Sequence, residues 1–504
     1  MRLPSVSVFV GLLPVVCLAL PTANPEEQSA RKDKRTFEIR DGVNHTVFYH
    51  AATDSTLSFV TNSGICETTP GVNQYSGYLS VGTVSLAHDC LESLSNLVVE
   101  HEHGKMVAEI WFWFFESRDS PTTAPLATWF NGGPGCSSMI GLFQENGPCQ
   151  FYNGASTPSL NPYSFNEYAN MLYVDQPIGV GFSYGTDSVT STVTAAPYVW
   201  NLIQAFYASF PAYESRDFGI FTESYGGHYG PEFAYYFEQQ NAAIAAGTLK
   251  GDKIDLIALG INNGWIDPAI SYKAYVDYSY NNTYKPLITA AQHTSYLSTY
   301  NSQCVPALQK CTSTTGSNSA CVNADNICYQ DIEGPLSNGN FDVYDIREPS
   351  NDPYPPETYV TYLQSSSVRT KIGAATTYQE CPDAPYEKFS TTGDDSRSFL
   401  SALSSVVQSG IQVLIWAGDA DWICNWFGNL AAANAITYSS SAAFNAAAVK
   451  SYTVNGVAAG TYKTAGNLSW LRVFGAGHEV PYYQPALALQ AFKQTMSKKP
   501  ISST

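Results

Sequence analysis

One stretch limits the fold of this chain more than any other: a short apolar strand that enters a serine-bearing turn and leaves as a helix. Phe218-Gly219-Ile220-Phe221 reads as a buried strand, and residues 230–244 read as a helix with Pro231 tolerated in its first turn. Between them lies Thr222-Glu223-Ser224-Tyr225-Gly226-Gly227-His228-Tyr229. Glycine beside a serine in such a turn lets the backbone fold tightly and lifts the hydroxyl out of the sheet edge. The usual pattern is G-x-S-x-G, and Thr222 stands in its first position. Taken alone, the motif also fits an ordinary loop serine.

The surroundings of this turn favour an α/β architecture. Lys105 to Phe115 is rich in aromatic and branched residues and predicts a strand. Residues 126–130, 170–175 and 254–261 predict further strands, and 193–210 has helical spacing that stops at Pro211. Alternating strands and helices indicate a mostly parallel sheet covered by helices on both faces. From 267 to 390 the alternation stops. That stretch is rich in Tyr, Ser, Asn and Pro and holds Cys304, Cys311, Cys321, Cys328 and Cys381, so it reads as a disulfide-stapled insertion over the active site. The rhythm returns with a helix at 399–407, strands at 412–416 and 471–474, and a closing helix at 484–496. The Ser/Ala-rich stretch 439–449 reads as a surface loop or helix. The resulting division is 1–23 leader, 24–40 possible pro-segment, 41–266 first part of the core, 267–390 insertion and 391–504 second part of the core.

Two more strand ends carry chemistry. Residues 412–416 run into Ala417-Gly418-Asp419-Ala420-Asp421-Trp422, and 471–474 run into Gly475-Ala476-Gly477-His478-Glu479-Val480-Pro481. The order Ser, Asp, His is that of α/β-hydrolases, and strand ends are where open α/β sheets place their reactive groups. The triad is therefore read as Ser224, Asp421 and His478, with Asp419 as rival carboxylate. His478 would take the proton of Ser224 and later give it to the leaving group, while Asp421 holds the imidazole in the right tautomer. Gly132-Gly133-Pro134-Gly135 follows an early strand. The N–H of Gly133, with that of Tyr225, is a candidate oxyanion hole, although a plain turn would look the same.

Composition places this chemistry outside the cytosol. Met1-Arg2, an apolar run at 8–20 interrupted by Pro14, and Pro21-Thr22-Ala23 form a secretory leader. The charged stretch 26–35 ends in Lys34-Arg35, either a processing site or a solvated charge run. Cys17 leaves with the leader, and ten cysteines remain to pair in an oxidising compartment. Asn44, Asn281 and Asn467 open N-x-S/T sequons for glycosylation. The formal net charge of −18 disfavours nucleic acid and anionic membranes as partners. No later run is long and apolar enough to span a membrane. His and Cys show no zinc-ligand spacing, so no metal or other cofactor is implied.

Four of these segments, Trp129-Phe130-Asn131-Gly132-Gly133-Pro134-Gly135-Cys136-Ser137-Ser138, Thr222 to Tyr229, Gly418 to Trp426 and Gly475 to Pro481, together resemble the serine carboxypeptidases, the group that includes carboxypeptidase Y. Gln144-Glu145-Asn146-Gly147-Pro148 and Asp175-Gln176-Pro177-Ile178-Gly179-Val180-Gly181-Phe182-Ser183-Tyr184 resemble it too. The likeness runs over roughly residues 100 to 490 and is that of a fungal secreted member. It implies release of single amino acids from peptide and protein C-termini. On the matching positions it implies that Asn131, Glu145, Glu223 and the Gly132 N–H bind the substrate's terminal carboxylate. Two acidic side chains beside a carboxylate cannot all be ionised, so one must hold a proton, which favours acid pH. The resemblance also implies Cys136–Cys381, the nested pair Cys304–Cys328 and Cys311–Cys321, and a free thiol at Cys424 near the site. Cys66, Cys90 and Cys149 are left over. The expected pair is Cys66–Cys90, with Cys149 unassigned. A monomer or homodimer, secreted or vacuolar, completes the expectation. Two rivals stand beside it: an acyltransferase or hydroxynitrile lyase on the same frame, which the joint presence of Glu145, Glu223 and Asn131 disfavours, and a non-catalytic binding protein, which the complete triad disfavours.

Overall fold

Six parallel strands carry the site. Asn170–Val174, Leu126–Phe130, Phe218–Glu223, Leu256–Asn262, Gln412–Gly418 and Leu468–Val473 lie side by side in that order. The first five are buried along their whole length, as strands covered on both faces must be. The computed structural model describes residues 32–81, 108–311, 316–339, 341–350 and 355–504.

Both flanks of the sheet turn antiparallel. Ala108–Phe115 pairs antiparallel with Asn170–Val174 and continues outward through Gln74–Val81, Ser55–Thr61, Val43–His50 and Lys34–Arg40. On the other side Val457–Ala465 and Lys450–Val454 close the sheet as a hairpin. Four of the five outer strands of the first ladder precede the part of the chain where strands are expected. The outermost contains Lys34-Arg35, so the expected boundary at residue 40 falls inside a hairpin. Within Ala108–Phe115 the period of two divides the core. Phe112 and Phe114 pack on the face that holds Phe206 and Phe237, while Trp111, Trp113 and Phe115 pack on the face that holds Leu487 and Phe492. Helices Thr192–Ser209 and Gly226–Ala245 thus cover one face and Pro485–Met496 the other.

The segment 267–390 is helical, from Pro268–Asn281 to Asp383–Ser390, with no strand among the described residues. Cys304–Cys328 and Cys311–Cys321 staple it internally, and Cys136–Cys381 fastens it to the loop after Leu126–Phe130. Cys66 pairs with Cys149 and not with Cys90, which lies outside the described residues. Arg118 explains the proximity. It donates through Nε to Glu67 Oε2 at 2.8 Å and through Nη2 to Pro148 O at 2.8 Å, drawing the two neighbouring loops together. Of the three sequon asparagines, Asn44 and Asn281 are exposed. Asn467 is not free in the fold: its Nδ2, the atom a glycan would join, donates to Val407 O and Ile411 O at 2.8 and 2.5 Å.

Candidate active site

Ser224 leaves the Phe218–Glu223 strand with φ of 63°, a left-handed conformation that a serine adopts only under constraint. It is partly exposed between buried neighbours. Two glycines make room for the turn. A Cβ on Gly226 would press on the Thr222 side chain at 2.5 Å, so the threonine in the motif's first position is accommodated by the glycine after the serine. A Cβ on Gly132 would collide with Tyr225 N, so glycine at 132 lets the Asn131–Gly135 turn lie against the elbow. Gly133 is exposed and lines the same cavity as Gly132, Ser224 and His478.

His478 follows the Leu468–Val473 strand, and its Nδ1 lies 3.1 Å from Asp421 Oδ2. The same oxygen accepts from Asn263 Nδ2 at 2.7 Å and from Cys424 N at 3.0 Å. Burial alone lowers the imidazole pKa, but the Asp421 carboxylate, with Glu223 and Asp342, outweighs it, and the net shift is upward. The backbone of His478 is fixed from both sides: its N donates to Tyr344 O, and its O accepts from Asn262 Nδ2, each at 2.9 Å. Asp419 points elsewhere. It pairs with Arg472 at 3.0 Å and accepts from Gly475 N and Tyr284 OH. Asn262 and Asn263 carry no sequence motif of their own; their place at the end of the strand between those of Ser224 and Asp421 is the only signal that could have found them.

Beside the elbow lies a second cluster. Trp129 Nε1 and Gly141 N both donate to Asn131 Oδ1, at 2.8 and 2.9 Å, which fixes the amide so that Nδ2 faces the acids. Nδ2 donates to Glu145 Oε1 at 3.0 Å and to Glu223 Oε1 at 3.1 Å. Glu145 is 1% exposed and Glu223 4%. Burial pushes the Glu145 carboxyl up to about 8, and burial with the facing Glu145 pushes Glu223 well above the carboxylate range. At least one proton therefore stays on the pair into neutral pH. The cavity, about 560 Å³, continues past Asp342, Glu357, Glu380 and Glu479, and among the described residues no Lys or Arg lines it. Cys424 is a buried free thiol outside the cavity lining; burial first, then Asp421, pushes its pKa well up.

A strained serine after a central parallel strand, with an aspartate–histidine pair on the ends of the two last parallel strands, defines an α/β-hydrolase fold. Within that class the chain belongs to the serine carboxypeptidase family, whose pattern matches residues 65–498, and it is a serine-type carboxypeptidase. It is 67% identical over 447 residues to carboxypeptidase S1 of Penicillium janthinellum, covering 88% of this chain and all of that protein. It is 36% identical over 392 residues to carboxypeptidase Y of Schizosaccharomyces pombe, covering 76% of this chain and 39% of that one. Among solved structures, a prohormone-processing carboxypeptidase, Kex1(delta)p of Saccharomyces cerevisiae, superposes with a TM-score of 0.67 at 22% identity, covering 86% of this chain and 93% of that one. That likeness concerns the fold.

Proposed function

We propose that the enzyme releases single C-terminal amino acids from peptides and proteins at acid pH, by an acyl-enzyme route. Ser224 attacks the scissile carbonyl while His478 takes its proton, and Asp421 orients and stabilises the imidazolium. The N–H groups of Gly133 and Tyr225 receive the oxyanion. His478 then protonates the leaving amine, and water enters by the same base to free the enzyme. Asn131, Glu145, Glu223 and the Gly132 N–H hold the substrate's terminal carboxylate.

The observation that carries this reading is the fixed Asn131 amide between two buried glutamates, one of which, Glu223, ends the strand that leads into Ser224. With no Lys or Arg among the described residues that line the cavity, a protonated glutamate is the side-chain donor that stands beside the Asn131 amide for a carboxylate ligand. As pH rises through the pair's titration that proton is lost and a like charge replaces it, so KM rises. His478 acts as a base when neutral, so kcat does not fall on the alkaline side. The four disulfides support an oxidising compartment, secreted or vacuolar.

The test is KM against pH for a blocked dipeptide and its C-terminal amide. The amide carries no carboxylate and should escape the alkaline rise. Parallel curves would move the assignment to a general esterase or acyltransferase.

A further inference from the structure

Backbone N–H groups are only as well placed as whatever holds the chain behind them. Both halves of the oxyanion hole proposed above are held by a buried carboxylate that does not line the cavity. Asp175 follows the Asn170–Val174 strand. Its Oδ1 accepts from Ser137 Oγ at 2.6 Å and Ser138 N at 3.1 Å, and its Oδ2 accepts from Phe182 N at 2.9 Å. Ser138 Oγ donates to Val174 O at 2.5 Å and accepts from Asn131 N at 3.4 Å. The turn that carries Gly132 and Gly133 is thereby tied down just beyond the turn. A Cβ on Gly181 would collide with the Asp175 carboxylate, so glycine there lets the 176–183 loop close over it.

Asp394 holds the other half. Its Oδ2 accepts from Tyr225 OH at 2.8 Å, Thr192 Oγ1 at 2.6 Å and Thr192 N at 3.0 Å. The far end of the Tyr225 side chain is thus fixed to the N-terminus of the Thr192–Ser209 helix, while its N–H stands next to Ser224. Asp394 lies just past the insertion. The residue before it, Gly393 with φ of 60°, packs directly on the backbone of Cys321 and Val322, inside the nested disulfides. Both aspartates are fully buried.

We propose that Asp175 and Asp394 are positioning residues for the oxyanion hole: each fixes one of the two N–H donors and neither touches substrate. The proposal rests on the acyl-enzyme reading. If it holds, loosening either anchor weakens the transition state more than ground-state binding: the triad, the two glutamates and the Asn131 side chain have their own supports, and of the carboxylate site only the backbone at 131–132 shares the turn that Asp175 holds. A displacement of the order of 1 Å at such a donor costs about 10–100-fold in rate.

Asp175→Asn, Asp394→Asn and Tyr225→Phe, the last of which keeps the backbone N–H, are compared with wild type. The readouts are kcat, KM, the Ki of a peptide aldehyde that adds reversibly to Ser224, the Ki of the N-acyl amino-acid product, and Tm. The expected result is a kcat loss of about 10–100-fold with the aldehyde Ki rising in parallel, while KM and the product Ki stay within about twofold for Asp394→Asn and Tyr225→Phe and rise by clearly less than the aldehyde Ki for Asp175→Asn. An unchanged kcat overturns the proposal. So does a kcat loss in which the aldehyde Ki does not move, or in which the product Ki rises as much. Should Asp175→Asn not fold, Ser137→Ala, which removes one of its three donors, carries the test with a smaller loss along the same line. Wild-type enzyme that the aldehyde fails to inhibit, or Ser224→Ala that retains turnover, would instead sink the acyl-enzyme reading beneath it.

Discussion

Two groups of buried carboxylates meet at Ser224, and their surroundings differ. Asp421 Oδ2 accepts from Asn263 Nδ2 and the Cys424 N–H and lies 3.1 Å from His478 Nδ1. Glu145 and Glu223 face each other, with one asparagine amide between them. The first setting suits a carboxylate and the second suits a bound proton. On the proposed reading the same functional group serves as charge stabiliser on one side of the serine and as hydrogen-bond donor on the other, and its neighbours decide which.

The largest expected effect removes what the two groups share. Ser224→Ala should lower kcat by about 10⁴-fold or more while leaving the fold intact; wild-type-like turnover of a blocked dipeptide by the pure variant would refute the assignment. Next comes the charged side. Asp421→Asn should cost about 10⁴-fold in kcat by favouring the wrong tautomer of His478. Asp419→Asn should lower Tm more than kcat, because Asp419 braces Arg472 and Tyr284. If the Asp419 variant is the inactive one, the two carboxylates have been assigned the wrong way round.

The proton-bearing side responds more gently. Glu145→Gln with Glu223→Gln should flatten KM against pH and shrink the preference for free acid over amide by about 10–100-fold, the worth of one charge-assisted hydrogen bond. An unaltered preference would show that the pair does not read the carboxylate. The same pair bears on stability. Carboxyls whose native pKa is raised bind more protons in the folded than in the unfolded state. Their favourable contribution is complete below the ordinary carboxylate range and is lost as pH rises, for Glu145 up to about 8. Glu333 and Glu380, each raised by burial to about 7, act in the same direction. Tm should therefore fall between mildly acid pH and pH 8, with a smaller slope in the double glutamine variant; a Tm that rises over this range would contradict the buried protonated pair. The smallest effect concerns Cys424, whose thiol should alkylate with iodoacetamide more slowly in the native enzyme than in the unfolded chain, since the thiolate is the reactive form. Equal rates would show that burial does not protect it.

Much of this site is legible in the chain itself. The elbow needs small residues next to Ser224, and Gly226 and Gly227 are there to be read. Asp421 and His478 stand at the ends of apolar runs whose length and branching mark them as strands, and the loss of alternation at 267 marks the insertion. All of that is local chemistry, written within a few residues of where it acts. The choice between Asp421 and Asp419, two positions apart, was open in the sequence; what separates them is which side of the strand end faces His478 and which faces Arg472. The pairing of Cys66 with Cys149 depends on Arg118 bridging two distant loops, and the engagement of Asn467 depends on where residues 407 and 411 pass. Asn262 and Asn263, like Asp175 and Asp394, acquire their roles only through contacts with residues far along the chain. Strand order decides those contacts, because a parallel sheet sets side by side the ends of segments that are remote in sequence. The sequence by itself determined which groups can react and on which elements they ride; the tertiary structure decided which of them meet, and in what state of protonation.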